Sequence, residues 1–279
     1  MPPAAPPRTS NRTPLGDPCA LSIAGFDPSG GAGIAADLRA FAAAEVWGTA
    51  VCALVTVQST AGLRSAHPLP AELVLAQATE VLRHQRILAI KTGALGSPDN
   101  VRVAVQLGRA YPKLPLIVDP VMIATRTKGG ARLLEADALE AMRELSAQAT
   151  LVTPNVDEAE ALLEGRIRDV EDLREAAVTL VGRGARAALV KGGHLVGDSA
   201  ADVLATRGHV VVLRTPRRKG PAFHGGGCTL ASLIAGGLAV RGKHDEDTLL
   251  EVVRWAKRRL TTAISRPRKI GDGLLVLDP

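Results

Sequence analysis

The chain has 279 residues, of which 46% are apolar but only 2% aromatic. That apolar content excludes a disordered chain, and the shortage of rings argues against a protein that stacks single-stranded nucleic acid on aromatic platforms. The formal net charge is +6, and between Arg207 and Lys269 fourteen Lys/Arg face four Asp/Glu, so the rest of the chain is slightly acidic. A basic third of this kind reads either as a solvated face or as a local anion site. No zinc-finger spacing and no aromatic–basic interleaving points to nucleic acid.

Three cysteines, Cys19, Cys52 and Cys228, with no CxxC pair, suit a reducing, cytoplasmic chain better than a disulfide scaffold or a structural zinc site. The first residues do not form a signal peptide. The longest apolar stretches, Val46–Val57 and Leu230–Val240, are too short to span a bilayer, so no membrane partner is expected.

In chain order, Met1–Asp17 is Pro-rich and aperiodic and is predicted to be a disordered tail. Strand Cys19–Ala24 follows, then helix Ala32–Glu45, strand Thr49–Val57, helix Pro70–Gln85, strand Ile87–Lys91, helix Pro98–Ala110 and strand Pro115–Val118. Helix Gly130–Ala147, strand Leu151–Thr153, helices Asp157–Leu163 and Asp169–Gly182, and strand Ala187–Lys191 come next. Two strands, Ala200–Ala205 and His209–Arg214, joined by a Thr-Arg-Gly turn, read as a hairpin before helices Gly227–Val240 and Asp245–Ile264. This alternation predicts one α/β domain over residues 18–279. Its mainly parallel central sheet carries helices on both faces, and the hairpin adds antiparallel strands at one edge.

Chemistry-bearing residues cluster where predicted strands end, which is where open α/β sheets bind ligands. The first strand runs into Gly25-Phe26-Asp27-Pro28-Ser29-Gly30-Gly31-Ala32-Gly33 and a helix, a junction suited to a ligand loop. Residues Gly31–Ala36 formally fit a GxGxxA dinucleotide pattern, but Val51–Thr60 lacks the acidic residue expected further on. One turn into the helix, Asp37 is either an exposed dipole-complementing acid or an acceptor for a substrate hydroxyl. The amide of Gln58, at the end of the second strand, can donate and accept at an aminopyrimidine edge.

Asn155 can cap the helix after Thr153-Pro154, and Glu158 stands where the partner of a capping box stands; the same pair can face a hydrated Mg²⁺. Lys191, before Gly192 and Gly193, has an ammonium able to reach a phosphate. Gly225, Gly226 and Gly227 offer consecutive N–H groups at a helix N-terminus, an anion hole. Cys228 follows them, and a thiol there is expected to have a lowered pKa and to act as base or nucleophile; its alternative is a buried small residue. Together these features point to phosphoryl transfer.

These motifs, in this order, resemble the hydroxymethylpyrimidine/phosphomethylpyrimidine kinases of thiamine biosynthesis, within the ribokinase-like superfamily. The resemblance covers about Ala20 to Ile264, carried by Ile23-Ala24-Gly25, Asp27–Ile34 with Asp37-Leu38, Asp119–Met122, Thr153-Pro154-Asn155 with Glu158, Lys191–His194 and Cys228-Thr229-Leu230. It implies a three-layer ribokinase-like fold and ATP- and Mg²⁺-dependent phosphorylation of 4-amino-5-hydroxymethyl-2-methylpyrimidine and then of its monophosphate. It further implies that Gly25, Asp37, Gln58 and Val121 hold the pyrimidine, and that Lys191, Asn155 and Lys257 serve ATP. It implies too that Cys228 is the base beside the anion hole of Gly225–Gly227, and Glu158 is expected to hold the metal through water. A homodimer fits the resemblance as well.

The sequence departs from the family pattern at Phe26, Ala94, Ala222, Phe223 and Gly226, where small hydroxyl, Met, Asn, Thr and Thr residues are usual. Those departures keep two other readings open: a pyridoxal-type kinase of the same superfamily, and a catalytically weakened pyrimidine-binding regulator.

Overall fold

The computed structural model describes residues 16–122, 136–193, 195, 199–216 and 222–279. Nearly all of the predicted tail and the first turns of predicted helix Gly130–Ala147 lie outside the described residues, as does His194.

Strands β1 (Cys19–Phe26), β2 (Trp47–Ser59), β3 (Gly62–Pro68), β4 (Ile87–Thr92), β5 (Leu116–Val118), β6 (Leu151–Val152), β7 (Ala187–Lys191), β8 (Ser199–Thr206) and β9 (Val210–Pro216) form one sheet in the order β3-β2-β1-β4-β5-β6-β7-β8-β9. From β2 through β7 the pairing is parallel, and β7–β8–β9 is antiparallel, as the predicted hairpin requires. A third antiparallel pair, β2–β3, closes the opposite edge. Its strand β3 carries Arg64, His67 and Pro68 and lacks a clean apolar alternation. That pattern suits an edge protected against further pairing and hides the strand from hydrophobic periodicity.

Because side chains alternate across a strand, each strand feeds two cores. Leu21 and Ile23 of β1, with Val118, Val152 and Val190, pack under helices α2 (Ala71–His84), α3 (Pro98–Ala110), α4 (Leu139–Ala147), α5 (Val156–Leu163) and α6 (Val170–Gly182). On the opposite face, Ala20, Ala89, Ile117, Leu151 and Leu189 pack under α1 (Gly33–Ala43), α7 (Gly226–Arg241) and α8 (Glu246–Ser265). Small residues let this second layer sit close. A Cβ on Gly236 of α7 would lie 2.7 Å from Ala44 Cβ, and one on Gly237 would lie 2.8 Å from Val252 of α8. An apolar, glycine-containing helix such as α7 therefore runs buried between its neighbours, as a helix without a polar face must. Two short strands, β10 (Phe223–His224) and β11 (Leu275–Val276), pair in parallel and tie the C-terminus to the start of α7. No helix among the described residues is long and apolar enough to cross a membrane.

Candidate active site

Strand order reverses at β1, which has β2 on one side and β4 on the other. At such a switch point, the loops leaving the strand C-termini part and open a crevice. A cavity of about 640 Å³ occupies that edge and follows it toward β8 and β9. The volume is that of a small-molecule site. Gly25, Phe26, Gln58, Ala94 and Val121 line one end; Ala200, Pro216, Leu260 and Ile264 line the other; Asn155, Glu158, Lys191 and Gly225–Cys228 lie on the wall with them.

Two register shifts aim the first end. One falls between Ala24 and Gly25 in the β1–β2 pairing, the other between Val57 and Gln58 in the β2–β3 pairing. Such irregularities re-aim side chains next to functional sites. The Gly-rich loop after β1 is then fastened by Asp27, a member of the motif to which sequence reasoning gives no role. Its carboxylate accepts from Ser29 N at 2.9 Å, Ser29 Oγ at 3.0 Å and Ala32 N at 2.9 Å. Burial opposes its charge, but the hydrogen bonds from His224 and Ser29 hold Asp27 below the ordinary carboxylate range. With its proton on Nε2, His224 donates to Asp27 Oδ2 at 3.1 Å and joins the two glycine-rich loops, while Gln58, the predicted pyrimidine-binding amide, stands beside it with Nε2 2.8 Å from the same nitrogen.

The two loops meet backbone to backbone. A Cβ on Gly225, at φ +80°, would lie 1.9 Å from Gly31 O; one on Gly33, at φ +58°, would lie 2.1 Å from Gly25 O. Only glycine satisfies both the left-handed backbone and the contact.

Asp37 departs from its expected role. It is neither an exposed helix-start acid nor part of the cavity wall. Its side chain is fully buried and accepts from Ser22 Oγ at 2.6 Å, Ser232 Oγ at 2.7 Å and Lys91 Nζ at 2.9 and 3.0 Å. It faces the sheet because Ala36, Asp37, Ala40 and Phe41 form the buried stripe of α1. Its carboxylate is consumed by these partners and sits beneath the site. Sequence reasoning misses Lys91, although a lone Lys within Ile87–Thr92 is the available signal: a cation in an apolar strand needs a buried acid. Burial works against its charge, yet Asp37 holds its pKa above the ordinary lysine value.

Cys228 also departs from expectation. Its position at the start of α7 implies a lowered thiol pKa, but burial pushes it up to about 11. The Lys91 cation and the Gly33 N–H oppose that rise, while Asp119 and Asp37 add to it. Desolvation of a thiolate therefore outweighs the helix terminus, and the resting thiol is protonated at neutral pH.

Lys191 Nζ lies 3.0 Å from Asp119 Oδ1 and 3.2 Å from where a Cβ on Gly227 would stand, which sets the ammonium against the N-terminus of α7. Burial works against that charge, but Asp119 and Glu158 hold the pKa of Lys191 above its ordinary value. Asp119 Oδ2 is buried and has no hydrogen-bond partner among the described residues. Asn155 and Glu158 form the expected capping box of α5: Asn155 Oδ1 accepts from Glu158 N at 2.9 Å and Glu158 Oε2 accepts from Asn155 N at 2.8 Å. Burial pushes the Glu158 carboxyl up to about 7 against the pull of Lys191. Lys257 reaches the cavity from α8, but a carboxylate already holds it: Nζ lies 2.5 Å from Asp202 Oδ2, while Asp202 Oδ1 accepts from Gly192 N. Arg254, Arg258 and Arg259 on the same helix are exposed, so that part of the basic C-terminal third is largely a solvated face.

Fold and cavity place the chain among the ribokinase-like kinases. The ADP-complexed pyridoxal kinase of Bacillus subtilis superposes with a TM-score of 0.83 at 27% identity, covering 94% of this chain and 97% of that one. The phosphomethylpyrimidine kinase of Clostridium difficile superposes with a TM-score of 0.75 at 33% identity, covering 88% and 99%. More narrowly, the chain belongs to the phosphomethylpyrimidine kinase family, whose profile matches residues 27–278. The hydroxymethylpyrimidine/phosphomethylpyrimidine kinase of Streptomyces coelicolor is 40% identical to it over 271 residues, 97% of each chain.

Proposed function

We propose that this chain transfers the γ-phosphoryl group of ATP to the hydroxymethyl oxygen of 4-amino-5-hydroxymethyl-2-methylpyrimidine and then phosphorylates the monophosphate to the diphosphate. One observation carries this reading: the α7 N-terminus bearing Cys228 lies beside the Lys191 ammonium and shares one cavity with Gly25, Gln58 and Val121. The pyrimidine sits at the β1–β2–β4 end, where Gln58, beside His224, reads its ring edge. ATP enters along β8, β9 and α8, between Asn155, Lys257 and the apolar wall of Leu260 and Ile264.

The N–H groups at Gly225–Cys228 and the Lys191 cation take up the charge that develops on the transferring phosphoryl oxygens. Fixed donors of this kind supply most of the rate in phosphoryl transfer. Cys228 orients the attacking hydroxyl, and its thiolate form, a small fraction at neutral pH, takes the proton and becomes the thiol. Because the thiol rests protonated, its contribution is smaller than that of the anion hole. In a loose transition state the hydroxyl proton leaves late, which tolerates a base present in its ionised form as only a small fraction. Asp37 is a positioning residue that, with Lys91, fixes the floor.

The residues present fit Mg²⁺: the unpartnered Oδ2 of Asp119 and the Glu158 carboxylate are two oxygen donors on the cavity wall, enough for a cation that keeps most of its waters. When bound, the ion neutralises phosphate charge.

A coupled ADP-release assay with the pyrimidine, its monophosphate and pyridoxal tests the reading. Pyrimidine-dependent ADP formation supports it; turnover of pyridoxal alone, or binding without turnover, replaces it.

A further inference from the structure

Three phenylalanines occur in the chain. Phe41 is buried in the core, whereas Phe26 and Phe223 line the cavity. Phe223 stands immediately before the second glycine-rich loop, and its backbone is fixed by pairing with Leu275, with Leu275 N donating to Ala222 O at 3.2 Å. Its ring fills a definite volume. A Cβ on Gly226 would lie 2.8 Å from Phe223 Cε2, 3.6 Å from Cδ2 and 3.8 Å from Cζ. Gly226 has no positive φ and no backbone collision, unlike Gly225. The Phe223 ring therefore occupies the space that a side chain at position 226 would enter.

We infer that Phe223 is the water-excluding cover of the phosphoryl-transfer position, and that Gly226 is glycine because this cover occupies its side-chain volume. The inference rests on the reading of Gly225–Cys228 as the anion hole. A phenyl ring offers neither donor nor acceptor to a phosphate, so its effect at the α7 N-terminus is to displace water. The competing reaction is hydrolysis: a water oxygen bonds to the γ-phosphorus while the bond to the β–γ bridging oxygen breaks, releasing ADP, orthophosphate and a proton. Kinases limit this side reaction by excluding water from the transfer position. Phe223 is thus a positioning residue that directs the phosphoryl group to the pyrimidine hydroxyl.

The test uses the full chain with ATP and Mg²⁺, measuring ADP release without pyrimidine and phosphorylated pyrimidine with it. Phe223→Ala and Phe223→Thr are expected to raise the ratio of hydrolysis to transfer at least tenfold. Phe223→Leu, which keeps apolar volume and guards against loss of fold, is expected to raise it less than threefold. Gly226→Thr is expected to cut transfer at least tenfold in the native background but less than threefold when combined with Phe223→Thr. An unchanged ratio in the Ala and Thr variants, or an equal cost of Gly226→Thr in both backgrounds, overturns the cover alone. Failure of the unaltered chain to phosphorylate the pyrimidine overturns the function and the cover together.

Discussion

Lys91 Nζ donates to both carboxylate oxygens of Asp37, at 2.9 and 3.0 Å, with neither side chain exposed to solvent. The pair lies between β4 and α1 beneath the cavity, and Ser22 and Ser232 complete the hydrogen bonding of the acid. Breaking such a pair strands one charge in the interior. Lys91→Met is expected to destabilise the fold by about 3–5 kcal/mol. Urea unfolding of the variant beside the native chain measures it, and a loss below about 1 kcal/mol would show that water reaches the pair.

The contact between the glycine-rich loops makes a second demand. Gly225→Ala puts a methyl group where Gly31 O already stands and forces alanine to φ +80°. Backbone strain alone costs about 1–3 kcal/mol, and the loops must part to relieve the clash. Pyrimidine KM should rise and kcat fall together, because the parted loops carry the proposed substrate pocket and the proposed anion hole respectively. Retention of both parameters would mean that the loops do not meet in solution.

The Cys228 thiol, with its pKa raised to about 11 by burial, should react slowly with iodoacetamide at neutral pH and steadily faster as the solution approaches that value. Cys228→Ala is expected to lower kcat about 10²-fold, at the weak end of general acid–base effects. In the proposed mechanism the residual rate comes from the anion hole and Lys191. Rapid alkylation at neutral pH would restore the lowered pKa that the helix position implies.

Glu158 makes stability depend on pH in a definite direction. Its carboxyl ionises near 4.5 in an ordinary setting but, through burial, near 7 in the fold. Between those values the folded state holds the extra proton, so stability contributed by this group falls as pH rises from about 4.5 to 7 and is level above that. Glu158→Gln keeps the acceptor for Asn155 N and removes the titration. The stability of this variant relative to the native chain should therefore increase across that interval in urea titrations. A constant difference would place Glu158 in contact with water.

Much of this architecture is legible in the sequence. Strand Ala187–Lys191 and helix Pro98–Ala110 keep their predicted bounds, the helix because Ser97 caps it and Pro98 begins it. The parallel alternation, the β8–β9 hairpin and the cavity positions of Gly25, Gln58, Asn155, Glu158 and Lys191 follow from strand ends and glycine runs read along the chain, and that of Val121 from the family resemblance. Strand β3 is not legible, because a protected edge needs no apolar period. The raised thiol pKa is not legible in the sequence, which shows the helix terminus but not the desolvation around the sulfur. Asp37 is misplaced for a related reason: its partners Ser22, Lys91 and Ser232 come from three distant segments. A carboxylate's surroundings at that range are a property of the fold and not of spacing.

The most direct measurement is steady-state ADP release by the full chain with ATP, Mg²⁺ and 4-amino-5-hydroxymethyl-2-methylpyrimidine, repeated with Lys191→Met. Pyrimidine-dependent turnover that falls about 10²-fold or more in the variant is the expected result, the scale of losing one fixed charge-stabilising donor. No pyrimidine-dependent ADP from the unaltered chain, or equal rates from both proteins, would contradict phosphoryl transfer at this site.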